Sequence, residues 1–145
     1  MAESSNHFKR HELECHGNKF CCHKTCFVHK KLLSVLDRFR DHVGGEVSLS
    51  RAFTCIKYNC TPSNEGGIGS RPTSRHCKGE AADIQTPKGW TVDRMADWLM
   101  DQSEVGAVGR YSWGCHVDIR PRVNGIITRW DQRTWRKNRE SKNDN

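Results

Sequence analysis

Two histidines and one aspartate constrain this chain more than any other feature. His76 and Asp83 stand seven residues apart in Ser74-Arg-His-Cys-Lys-Gly-Glu-Ala-Ala-Asp83, and His116 follows about thirty residues later in Gly114-Cys-His-Val-Asp118. Two imidazoles and one carboxylate are a usual ligand set for a catalytic zinc, which keeps its fourth position for water. Structural zinc sites generally close with four protein ligands, mostly thiolates. A Zn²⁺ site at His76, Asp83 and His116 is therefore biased toward hydrolysis, and the fold has to bring two distant segments together to make it.

The rest of the pattern fits one small domain over residues 1–145. With 34% hydrophobic and 28% charged residues, the core must be compact and the surface polar. No apolar run approaches a membrane span, and the first twenty residues hold no apolar signal region, so export by the general secretory route is not expected. The net charge of +7 favours polyanions: nucleic acid, anionic lipid or acidic wall polymers. Arg133, Arg136, Lys137, Arg139 and Lys142 make residues 131–145 a basic tail, read as a solvated end or as an arm for a polyanion.

Val28, Leu32, Val35, Leu36, Phe39 and Val43 recur at three- and four-residue steps, which predicts a helix of about eighteen residues from an N-cap at Thr25 to Gly44-Gly45. Alternation in Glu46–Phe53 predicts a strand, and a turn-rich loop spans residues 59–73. Ala81–Gln85 reads as a short buried strand carrying Asp83. Thr91 is placed to cap a second helix with Val92, Met95, Ala96 and Leu99 inward. In the strand around His116, alternation puts His116, Asp118 and Arg120 on one face and Cys115, Val117 and Ile119 on the other. Gly125–Trp130 is expected to be the last strand.

Eight cysteines permit 105 pairings, so sequence selects no disulfide framework. Residues 1–24 are rich in Cys and His, and the cluster Cys15, His16, Cys21, Cys22, His23, Cys26, His29 lacks the paired spacing of a zinc ribbon. Reduced thiols, one disulfide and a second, structural metal all stay open there, as does a small loop closed by Cys55 and Cys60.

The string Ser74-x-His76-x-x-Gly79-x-Ala81-x-Asp83, followed by His116-Val-Asp118, resembles the D-alanyl-D-alanine carboxypeptidase-like zinc peptidases, which include phage endolysins that cut peptidoglycan stem peptides. Phe8-Lys-Arg-His-Glu12-Leu-Glu-Cys15, Phe53-Thr-Cys55-Ile-Lys-Tyr-Asn59, Gly66-Gly67, Gly109-Arg-Tyr111 and Arg129-Trp130 extend the likeness over most of the chain. The resemblance implies an α+β domain of the hedgehog and D-Ala-D-Ala-peptidase type, with a small antiparallel sheet packed against helices. It also implies zinc on His76, Asp83 and His116, and a monomer acting on peptidoglycan peptides. A phage lysin of this kind is made in the host cytoplasm and released to the wall, whose anionic polymers suit the positive surface.

Two departures matter. Relatives often place an acidic general base three residues before the last histidine ligand, where this chain has Trp113, and an arginine where this chain has Thr54, with Arg51 three residues earlier. Asp118 is the leading candidate for general base, with the alternative that it orients a ligand histidine; Glu80 is a weaker candidate. Ser74, Arg51, Arg120 and Tyr111 are candidate substrate contacts, although Ser74 equally suits fixing the His76 loop, and Arg120 a plain ion pair. Tyr111 and Trp113 can line a cleft or pack in the core.

Two other classes compete: a non-catalytic zinc-binding interaction domain, as in hedgehog proteins, and a Cys/His-rich nucleic-acid-binding module. Against the latter, a His/Asp/His site is poor zinc-finger chemistry and no basic stripe interleaves with aromatics. The N-terminal cysteines read as structural. Replacing both Cys21 and Cys22 with Ser is therefore expected to lower the melting temperature while leaving the zinc-dependent rate of the folded protein largely intact; a well-folded double variant without turnover would contradict this.

Overall fold

The computed structural model describes residues 7–16, 28–71 and 74–133. Among these, four helices and five strands form one α+β unit: α1 (Arg10–Leu13), α2 (Lys30–Val43), β1 (Leu49–Arg51), α3 (Ile56–Cys60), β2 (Ala81–Gln85), α4 (Val92–Met100), β3 (Ala107–Tyr111), β4 (Gly114–Asp118) and β5 (Thr128–Asp131). No helix among the described residues is long and apolar enough to cross a membrane.

The apolar stripe of α2 is the one the spacing predicts, but the helix starts later. Its cap is His29, whose Nδ1 accepts a hydrogen bond from the Lys31 amide at 3.1 Å. Thr25, the expected cap, lies outside the described residues, and Val28 is buried ahead of the helix. Leu32, Leu33, Val35, Leu36 and Phe39 face the core, and Gly44 closes the helix at φ 70°, with its amide donating to the Arg40 carbonyl. The second helix agrees with expectation: Thr91 Oγ1 accepts from the Arg94 amide at 3.1 Å, and Val92, Met95, Ala96 and Leu99 are buried. Phe39 joins the two helices through ring contacts with Trp90 (5.5 Å, edge-on) and Trp98 (5.1 Å).

The strand order is β1-β2-β4-β3-β5. The expected antiparallel sheet is corrected to a mixed one, because β5 pairs with β3 in parallel while the other three pairings are antiparallel. After β4 the chain reverses through Asn124 (φ 54°) and Gly125 (φ 72°). It then runs back past β3's far edge instead of on β4's own, so it lies antiparallel to β4 and parallel to its actual neighbour. The last strand accordingly covers Thr128–Asp131, not Gly125–Trp130. Asp131 therefore belongs to the sheet, and Arg133 is tied back to Asp131 and Asp93, each at 2.9 Å; the rest of the proposed basic tail lies outside the described residues.

The first strand is shorter than its alternation suggests, with only Leu49–Arg51 paired and an irregular register. Phe53 and Thr54 leave the sheet, their amides donating to the carbonyls of Leu13 (3.0 Å) and His76 (3.2 Å).

One sheet face packs on the helices. Ala82, Ile84, Val108, Cys115 and Val117 join α2 and α4 in a single core cluster. On the other face the register lines up one residue from each strand: Arg51 opposite Asp83, Asp83 opposite His116, His116 opposite Gly109, and Gly109 opposite Trp130. A Cβ on Gly109 would lie 2.3 Å from the Trp130 ring, so only glycine lets the indole lie across β3 beside His116. Gly109→Ala is expected to cost about 1–3 kcal/mol, as overpacking usually does. Thermal unfolding in a Trp130→Ala background should show most of that cost removed; an undiminished cost would refute the contact.

Candidate metal centre

His76 sits on a short 3₁₀ turn, Arg75–Lys78, that Ser74 opens and Gly79 (φ 69°) closes. Ser74 Oγ accepts from the His76 amide at 3.3 Å, so of its two suggested roles the structure shows the loop-fixing one. The imidazole is 1% exposed, and its Nδ1 lies 2.8 Å from the Ala52 carbonyl oxygen. A carbonyl only accepts, so Nδ1 carries the proton and Nε2 presents a lone pair. That Nε2 is buried without a hydrogen-bond partner, at 3.4 Å from Asp83 Oδ1.

His116 shows the complementary arrangement. Its Nε2 is 2.8 Å from Asp118 Oδ2 and its Nδ1 is 3.0 Å from Asp83 Oδ1. With Nε2 donating to Asp118, Nδ1 faces the Asp83 carboxylate with a second lone pair. Ligand atoms of His76, Asp83 and His116 thus lie within 4.8 Å of one another. Three acceptors converging at a half-buried place demand a cation or a proton between them, and the donor set fits zinc.

A family model described as Peptidase M15 matches residues 6–118, the segment that holds all three converging residues. The chain belongs to the Peptidase M15 family. This is the D-Ala-D-Ala carboxypeptidase-like zinc peptidase group that the His76, Asp83 and His116 motifs resemble. No curated protein and no solved structure matches the chain.

In this M15 family member each candidate ligand has its outward atom held. Ala52 holds His76, Asp118 holds His116, and Arg51 Nε stands 3.5 Å from Asp83 Oδ2. Burial by itself would raise the Asp83 carboxyl, but when a proton takes the cation's place between the three groups, the His116 and His76 imidazoles beside it outweigh burial and hold it well below the usual carboxylate range. Burial likewise opposes charge on His116, yet the carboxylates of Asp118 and Asp83 raise it above the ordinary imidazole value of 6.5.

Asp118 is fully buried. Its Oδ1 accepts from the Arg120 amide (3.2 Å) and Nε (2.8 Å), and its Oδ2 accepts from Arg120 Nη2 (2.7 Å) and His116 Nε2. Those bonds overcome burial and bring its carboxyl down to about 2. Arg120 lies just beyond β4, and its guanidinium is engaged by Asp118 in the ion-pair alternative. Glu80 pairs with Arg75 at 3.0 Å. Tyr111 Oη accepts from Trp130 Nε1 at 2.8 Å, and its ring stacks on Trp113 at 5.0 Å; Trp113 is 42% exposed, so neither aromatic is in the core cluster.

The Ala52 carbonyl carried no sequence signal, because any residue supplies one; Trp130 entered only as part of the Arg129-Trp130 pair in the resemblance, and the place of its ring, 5.3 Å from His116, is set by the parallel fifth strand. Of the N-terminal cluster, Cys21, Cys22, His23 and Cys26 lie outside the described residues, and His29 serves as the α2 cap. No disulfide joins Cys55 to Cys60.

The shifts fix how stability should depend on pH when metal is chelated. His116, raised above 6.5, contributes stability below that value and loses it as pH rises through the folded value. Asp83 and Asp118, depressed below 3.8, contribute above that value and lose it as pH falls. Chelated protein is thus expected to melt at lower temperature at pH about 8 than at about 6, and added zinc should restore stability most at the higher pH, where it replaces the lost proton. Calorimetry at both pH values, with and without zinc, checks this; equal zinc stabilisation at the two would refute the shared site.

Proposed function

We propose that this chain is a zinc-dependent peptidase that hydrolyses peptide bonds in peptidoglycan stem peptides or cross-links, as an endolysin-type endopeptidase or a D,D-carboxypeptidase. The observation that carries the proposal is the convergence of His76 Nε2, Asp83 Oδ1 and His116 Nδ1, each with its outward atom held, in a chain of the M15 family. Zinc bound there supplies Lewis acidity toward the scissile carbonyl and toward water.

The chain's own residues divide the remaining work. Asp118 acts through His116: all its acceptor directions are occupied and it has no exposure, which suits orienting an imidazole better than taking a proton from water. Arg51 holds the outer oxygen of Asp83. Trp130, Tyr111 and Trp113 form an aromatic flank that runs outward from His116 and suits the apolar parts of a substrate. The net charge of +7 complements an anionic wall, and a lysin made in the host cytoplasm and released to the wall as a monomer fits this reading.

A second reading draws on one observation: position 113, where many relatives have an acidic base, holds an exposed tryptophan. A non-catalytic zinc-binding interaction domain would need no base there.

Mass spectrometry of muropeptides after incubation with zinc-loaded protein separates the two readings, since only the peptidase releases shorter stems. Asp118→Asn tests the orienting role. It is expected to weaken zinc binding by about 10–100-fold, with turnover largely restored by excess zinc. A rate reduced by roughly 10²–10⁴-fold at one bound zinc would instead make Asp118 the general base.

A further inference from the structure

Tyr111 ends β3 and Gly114 opens β4, so Ser112 and Trp113 form the turn between them. The register pairs Tyr111 with Gly114, and Gly114 with Gln85. Each stands two residues from its counterpart in the row Gly109, His116, Asp83. Strand alternation therefore puts this second row on the same face as the candidate metal centre, about 7 Å along the strands.

The Tyr111 and Trp113 rings stack at this end of the face, with centroids 5.0 Å apart and planes 13° from parallel. Both members are held in place. Tyr111 Oη accepts from Trp130 Nε1 at 2.8 Å, and the Trp113 carbonyl accepts from the Thr86 amide at 3.0 Å and from Thr86 Oγ1 at 3.3 Å. The pair is thus ordered before any ligand arrives, which spares part of the cost of binding. Trp113 is 42% exposed and lies outside the core cluster, so core packing does not account for an indole at this turn. Trp130, 5.3 Å from His116, makes the aromatic surface continuous with the metal centre. Exposed Gln85 and Ser112 add polar groups at its rim.

An aromatic face is negative at its centre and attracts polarised C–H groups or a cation. A cation is disfavoured here, because the Arg120 guanidinium already lies 5.8 Å from the Trp130 centroid and the chain carries a net charge of +7. A pyranose has C–H bonds on its face and hydroxyls around its edge, which matches a flat aromatic plate with a polar rim. We infer that the Tyr111–Trp113 pair is a platform for a sugar ring of the peptidoglycan glycan strand, held one row from the scissile bond. The inference rests on the peptidase reading and deepens it. Stem peptides in the wall hang from a sugar, and a separation of about 7 Å is roughly two residues of extended chain.

Titration of the zinc-loaded full chain with the trimer of N-acetylglucosamine tests this, followed through the indole N–H resonances of the five tryptophans. The Trp113 resonance should move and saturate, while those of Trp90 and Trp98, which pack on Phe39, should stay. By calorimetry, Trp113→Ala should weaken binding at least about tenfold, as loss of a stacking ring usually does, and Trp113→Tyr, which keeps a flat ring, no more than about threefold. KM for a muropeptide should lie at least about fivefold below KM for the same stem peptide freed of its sugar, and Trp113→Ala should bring that ratio close to one.

An unmoved Trp113 resonance, equal movement at Trp90 and Trp98, unchanged affinity in folded Trp113→Ala, or equal KM for the two substrates would overturn the inference. Movement of Trp113 by the sugar-free stem peptide and not by the trimer would overturn it too, and give the platform to the peptide. The readouts on the parent chain stand even if a variant fails to fold. Failure of the platform and failure of the peptidase reading are distinguishable. A protein that trims muropeptides while the trimer leaves Trp113 unmoved keeps its peptidase activity and loses the platform. One that binds the trimer through Trp113 without cleaving any muropeptide keeps the platform and loses the peptidase reading.

Discussion

The pairing of Asp83 with His116 across β2 and β4 is the contact on which the candidate site depends. The two residues are direct partners in the antiparallel ladder, so their side chains emerge on one face at the closest spacing a sheet allows. Slipping β2 against β4 by one residue would turn Asp83 toward the helices and leave His116 facing an alanine or an isoleucine. Core packing guards against that slip, because Ala82 and Ile84 oppose Val117 and Cys115 on the buried face. The same ladder holds the hydrophobic core and aligns the polar row.

Small residues complete the arrangement. Asp118 lies between Ala81 and Ala107 in the register, neither of which carries a side chain beyond Cβ to fill the space that its carboxylate and the Arg120 guanidinium occupy. A buried carboxylate is costly unless fully bonded, and these bonds reach it from Arg120, two residues on, and from His116. The charge on Asp118 is thus secured by local sequence, while its effect is exerted on the histidine two residues before it.

Much of this was legible in the residues themselves. Alternation in Gly114–Asp118 separated His116 and Asp118 from Cys115 and Val117, and the cap and stripe of α4 followed from Thr91, Val92, Met95, Ala96 and Leu99. What stayed hidden was set by tertiary contact. The α2 cap fell to His29 rather than to a threonine, and β1 ends short of Phe53 because Phe53 and Thr54 bond elsewhere. The parallel placement of β5 depends on which sheet edge the returning chain meets, and no local pattern in Gly125–Trp130 encodes that choice.

The early end of β1 decides what the Ala52 carbonyl can bond. Had the ladder continued through residue 52, the Ala52 carbonyl would be spent on a neighbouring strand, and His76 would lose the acceptor that fixes which nitrogen faces Asp83. Substitutions at 52–54 that favour extended pairing would then disable the centre while leaving every ligand residue in place. Positions 52–54, which look like ordinary loop, therefore matter to the centre as much as the three residues that converge on it, and an inventory of those three alone would miss them.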